Sequence, residues 1–141
     1  MPSKEEHLVI IDHNFKALAL LSHPLCSKYS EYTDWSETMI FYMALHYIHA
    51  YLAINKNMHP GDHFELQRII GIINNLKPIY SKYRSLQDDS RKARYDGIKF
   101  SVYEMRNNYL IYFKDVQNLI CNLLDIETSK RYDLYPMFPS C

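Results

Sequence analysis

Residues 34–55 read DWSETMIFYMALHYIHAYLAIN, and this stretch decides the fold class. From Thr38 to Asn55, eighteen residues carry no Asp, Glu, Lys or Arg. One stripe at helical spacing runs Trp35, Met39, Tyr42, His46, His49, Ala53, and a second runs Thr38, Phe41, Leu45, Ile48, Leu52. Two adjacent apolar stripes describe a helix covered on most of its circumference, the centre of a bundle and a candidate subunit interface. His46, His49, Thr38 and the tyrosines fit poorly in hydrocarbon, so the stretch is read as a buried helix rather than a membrane span. Asp34 and Glu37 have capping-box spacing, which predicts a start at Asp34 with Trp35 opening the apolar face.

Working outward, helical grammar recurs on both sides. Ser3 with Glu6 is a second capping box, and Leu8, Ile11, Phe15, Leu18 and Leu21 follow at helical spacing, giving a first helix from Ser3 to about Ser22. Pro24 stops it, and Leu25 to Thr33 is a connection. Asp62 with Glu65 opens a third, shorter helix to about Asn74. Pro78 suits the first turn of a fourth, which runs to Tyr95 with Gly97 just beyond it. Ser101 with Glu104 opens a fifth, to about Ile126. The expected fold is therefore all-α: an up-and-down antiparallel bundle of about five helices over residues 1–126. An irregular tail, 127–141, is expected to stay outside it unless it docks through Tyr132, Tyr135 and Phe138.

Composition agrees with one helical domain. The chain has 141 residues, 48% of them hydrophobic, and only three glycines, too few for a fold rich in hairpins. Net charge is zero, which excludes a surface that grips nucleic acid everywhere; any phosphate-binding patch has to be local. Three scattered cysteines, Cys26, Cys121 and Cys141, show no C-x-x-C spacing and read as reduced thiols. The start, MPSKEEHLVIID, lacks a signal-peptide core, so the expected location is cytoplasmic.

Two groups of residues carry candidate chemistry. His46 and His49 lie three apart, and His59 and His63 four apart, spacings that can serve a metal. No acidic partner is fixed by sequence, so these histidines are read without a metal. The second group is the fourth helix. Between Lys77 and Tyr95 six cations face only Asp88 and Asp89, a local charge of +4. Tyr80, Tyr83 and Tyr95 are interleaved. Guanidinium forks hold phosphates and tyrosine rings stack on bases. The competing reading is a solvated face of ion pairs, with Asp88 placed to meet Arg84, Arg91 or Lys92. The chain has no G-x-S-x-G, H-E-x-x-H, P-loop or dinucleotide fingerprint, and no cofactor is expected.

Taken together, DWSETMIFYMALHYIHAYLA, HPGDH and SRKARYDG resemble the HEPN superfamily (higher eukaryotes and prokaryotes nucleotide-binding) over Asp12 to Ile126. The matching positions are Asn14, then Trp35, Phe41, Tyr42, Ala44, Leu45 and His46, then His63, and finally Arg91, Ala93 and Tyr95. The resemblance implies a helical bundle, often a homodimer, that associates with a nucleotide or RNA. Many members are metal-independent ribonucleases paired with a nucleotidyltransferase-like partner. Their signature, an Arg with a His five to seven positions later, is missing: Arg91 reaches only Asp96, Gly97 and Ile98. The expected site is His46, His63, Arg91, Arg94 and Tyr95, used for binding rather than catalysis. The alternatives are a non-catalytic dimerisation or interaction module, as in a toxin–antitoxin-type pair, and a ribonuclease with a rearranged His/Arg site.

Overall fold

A computed structural model describes residues 2–22 and 32–139. The turn expected around Pro24 and most of the 25–33 connection lie outside the described residues, as do Cys26 and Cys141. The described chain is an all-α bundle: α1 (Lys4–Ser22), α2 (Thr33–Asn55), α3 (His63–Ile72), α4 (Tyr80–Asp96), a short α5 (Val102–Glu104) and α6 (Leu110–Leu123). No strand occurs among the described residues, and none of their helices is long and apolar enough to cross a membrane.

Helix starts follow the sequence where capping was read correctly. Ser3 and Glu6 exchange both capping-box bonds, at 3.2 and 2.6 Å. Asp62 accepts from the Glu65 amide at 2.7 Å, and Ser101 accepts from the Glu104 amide at 3.0 Å. Gly97 ends α4 at φ +65°, a conformation that glycine adopts without the strain a Cβ brings.

The start of α2 is different. No side chain caps it; Glu37 is turned inward and fully buried, and Trp35 is 54% exposed. The Asp34–Glu37 capping box is therefore corrected. Burial of the face carrying Thr33, Glu37, Ile40 and Phe41 takes the carboxylate away from the helix end. Thr33 instead accepts from the Phe100 amide at 2.8 Å, tying the loop after α4 to this end of α2.

The core forms around α2, which packs most extensively on α1 and then on α4 and α6. Ile40, Phe41, Met43, Ala44, Ile48 and Leu52 have no exposed surface. The stripe Thr38, Phe41, Leu45, Ile48, Leu52 is thus buried inside the chain, whereas the stripe from Trp35 through Met39, Tyr42, His46 and His49 to Ala53 keeps partial exposure along its length, with Trp35 the most exposed. Between α5 and α6 the helix widens into a π-helical stretch, Met105–Tyr109, that periodicity did not reveal. From it, Tyr109 donates to Asp89 of α4 at 2.8 Å and Arg106 donates to the Phe138 carbonyl at 2.6 Å.

The segment after α6 docks. It carries two 3₁₀ turns, Thr128–Lys130 and Tyr135–Met137. Leu134 and Phe138 enter the core, Gln117 bonds both the amide and the carbonyl of Tyr132, and the Tyr132 hydroxyl donates to Asp12 of α1 at 3.1 Å. Tyr135 is only half-buried. Irregular backbone is held here by side-chain bonds to its polar groups and by two apolar anchors. Phe138→Ala is expected to cost about 3–5 kcal/mol, measured as a shift in urea midpoint at constant slope. A loss below about 1 kcal/mol would mean the tail is not part of the cooperative core.

Candidate functional site

Asp62 fixes where α3 begins. Its cap, supported by a 3.2 Å bond from the Gly61 amide to Glu65, makes His63 the first residue of the helix and directs it toward α2. The His63 ring lies 5.8 Å from that of Phe41. Between α2 and this helix start is a cavity of about 420 Å³, with Tyr42, His46 and His49 along one side and Pro60, Asp62 and His63 along the other. Cavities of this size accept a small ligand or one unit of a polymer.

Arg94 reaches Tyr42, one wall of this cavity, from α4. Its Nη1 donates to Ser90 Oγ at 2.9 Å and to the Tyr42 hydroxyl at 3.3 Å. The guanidinium lies 5.5 Å from the Tyr42 ring, 5.7 Å from Tyr95 and 5.9 Å from Phe41. Three aromatic rings hold the cation by its faces, an attraction that needs no carboxylate. Among the described residues no carboxylate pairs with either Arg91 or Arg94. Three nearby acids are engaged elsewhere: Asp88 with Arg84 at 3.7 Å, Asp89 with Lys92 at 3.4 Å, and Asp115 with Lys82 at 2.8 Å. Of the three pairs the spacing offered Asp88, the one with Arg84 forms; those with Arg91 and Lys92 do not, and Lys92 meets Asp89 instead.

His46 and His63 thus share the cavity, and Arg94 stands behind its Tyr42 wall, close enough to His63 to act on its charge but not itself lining the space. Arg91 and Tyr95 lie further out. They line an adjoining shallow depression of about 440 Å³ with Asp88, Lys92 and Asp96, and Tyr95 is 79% exposed. Burial lowers the pKa of His63; Arg94 and, more weakly, Arg91 lower it further, with Asp62 opposing. His63 therefore senses both guanidiniums. Burial, followed by repulsion from His7, holds His46 down at about 4. At neutral pH the cavity presents neutral imidazoles beside a fixed cation.

Two residues at this site were not legible in the sequence. His7 of α1 packs on His46 and His49, and its position depends on how α1 docks, which no local spacing reveals. Glu37 lies beneath the Arg94 region, fully buried, with neither carboxylate oxygen bonded. Burial, then the nearby Asp89, raises its pKa to about 9, against a smaller lowering by Arg94. Among the described residues no three His, Cys, Asp or Glu side chains are arranged to hold a metal ion.

Fold and site together define a class: an all-α bundle with a half-buried, carboxylate-free cation beside an imidazole-lined cavity. No family model matches the chain, and neither a curated protein nor a solved structure matches it.

Proposed function

We propose that the chain is a HEPN-like helical domain that binds the phosphate of a nucleotide or of RNA at Arg94, with His63 and His46 lining the cavity and Arg91 and Tyr95 at its outer edge. The observation that carries this reading is the electrostatic one. Two guanidiniums without a carboxylate partner act on one imidazole at the mouth of a cavity. Unpaired cations beside low-dielectric walls favour an anion, and a fork of N–H donors suits a phosphate. An anion bound there raises the pKa of His63, so binding takes up a proton.

The test is calorimetry with a nucleoside monophosphate, a nucleoside triphosphate and a short single-stranded RNA. Arg91 bonds nothing among the described residues, so Arg91→Ala is expected to leave the urea midpoint unchanged and to weaken binding about threefold to tenfold, as loss of one outer charge does. Binding of none of these probes would remove the reading.

The ribonuclease reading draws support from His46 and His63 sharing the cavity with a cation beside it. The low basicity of His46 makes it a weak proton acceptor, and the Arg–His signature of the family is absent. Metal-free incubation with labelled RNA tests it: cleavage that His46→Ala and His63→Ala abolish would make the domain an enzyme. The interaction-module reading, with a homodimer or a nucleotidyltransferase-like partner, draws on exposed Trp35 at the start of α2 and on exposed Leu20 and Tyr103. Light scattering of the purified chain tests self-association.

A further inference from the structure

The first turns of α1 meet α2 through imidazoles. His7 is 4% exposed, and its Nδ1 lies 3.0 Å from Nδ1 of His46. The His7 ring also stacks on His49 at 5.2 Å and 15°, and His46 and His49 stand 6.1 Å apart. Two facing ring nitrogens at that distance share one hydrogen. In the neutral pair one Nδ1 donates and the other accepts, so the two rings hold complementary tautomers. One added proton is tolerated, as an imidazolium donating to an imidazole. A second sets two N–H donors against each other, with His49 stacked on one of them.

The surroundings offer little to offset that charge. On α1, Glu6 adjoins His7, but one of its oxygens accepts from the Ser3 amide. On α2, His46 and His49 are the only Asp, Glu, Lys, Arg or His residues from Thr38 to Asn55. The loop after α2 brings His59, which repels a proton on His7 and on His49. The start of α3 brings His63, which does the same to His49, and Asp62, whose carboxylate caps that helix. Arg94 and Arg91 add positive potential at His63.

We infer that His7, His46 and His49 form an acid-released latch: above the imidazole range they clasp the first turns of α1 to α2, and on acidification the clasp opens and frees His46 and His49 as cations at the cavity wall. Burial first, and then neighbouring imidazoles, lowers the pKa of all three, with His46 and His49 held at about 4. Released imidazoles take protons near 6.5. The open form therefore binds protons that the closed form refuses, and the closed form loses ground as pH falls from about 6.5 to about 4, by at most tenfold per pH unit for each histidine. Further along α1, Ile11 and Leu18 are fully buried and Asp12 accepts from Tyr132, so the rest of the helix stays docked. The latch does not depend on what the cavity binds.

The experiment is native-state hydrogen exchange on the full chain from pH 7.5 to 4.5, corrected for intrinsic rates. Amides of residues 7–11 are compared with those of α6. The expected result is a loss of protection of tenfold or more in residues 7–11 between pH 6.5 and 5, clearly larger than the loss in α6, where protonation of Glu37 offsets the imidazoles. His7→Phe keeps an aromatic ring on His49 and removes one titrating partner, so it is expected to flatten that pH dependence. Equal loss of protection in both regions, or the same slope in His7→Phe, overturns the latch. If His7→Phe does not fold, imidazole NMR titration of the unmodified chain decides. Titration of His46 and His49 below pH 5.5, together with the loss of protection, supports the latch; titration near 6.5 with residues 7–11 still protected overturns it.

Discussion

Arg94→Ala is expected to weaken nucleotide or RNA binding by about tenfold to a hundredfold, the range for losing a charge-assisted hydrogen-bond donor from a partly enclosed site. Calorimetry against the same phosphate-bearing probes reads the loss. The fold should survive. The side chain gives up its bonds to Ser90 and Tyr42 and its place among three rings, together worth about 1–2 kcal/mol at a half-buried position. Arg94→Lys separates the two contributions. An ammonium keeps the charge but loses the planar fork, so stability should recover partly while binding stays several-fold weaker. Unchanged affinity in Arg94→Ala would end the anion-receptor reading, and equal affinity of Arg94→Lys and the unmodified chain would show that charge alone is recognised.

The largest expected gain in stability is at Glu37. The carboxyl is fully buried, bonds nothing, and is held at about 9 by burial and by Asp89. In the unfolded chain it ionises near its ordinary value of 4.5. Between those values the unfolded state has released a proton that the folded state keeps, so this group's contribution to stability falls as pH rises from 4.5 toward 9. At pH 7 the penalty is about 3 kcal/mol. Glu37→Gln has the same shape and no proton to lose. It should be about 3 kcal/mol more stable at pH 7 and nearly equal to the unmodified chain at pH 4, read from urea midpoints at the two pH values. A Gln variant that is less stable at pH 7 would mean Glu37 is ionised and bonded in the fold. The imidazoles of the α1–α2 seam act in the opposite sense, removing stability as pH falls below about 6.5, so the pH–stability curve should be peaked in the mildly acidic to neutral range.

The helix inventory was set by sequence. Period, caps and breakers are local properties: a Ser or Asp three residues before a Glu, or a Gly after the last apolar repeat, acts through bonds within one or two turns. Ser3, Asp62, Ser101 and Gly97 accordingly do what their spacing predicts. The doubly striped 34–55 stretch likewise dictated a central helix, because that many apolar side chains have to leave water whatever packs on them. Tertiary structure overruled local signals at Glu37, where burial of one helix face outweighed a capping bond. It also decided the docking of the tail, which has no period and is held by Gln117, Arg106 and Asp12 from distant elements. The cationic fourth helix was visible as composition. Which of its charges stay unpaired was not, because each acid had several cations within reach and side-chain geometry made the choice. Nor could spacing reveal that His7 and Arg94, from opposite ends of the domain, meet α2 on the same stretch as His46. Proximity across 39 or 52 residues is a consequence of packing the whole bundle, and it exists only once the core has formed.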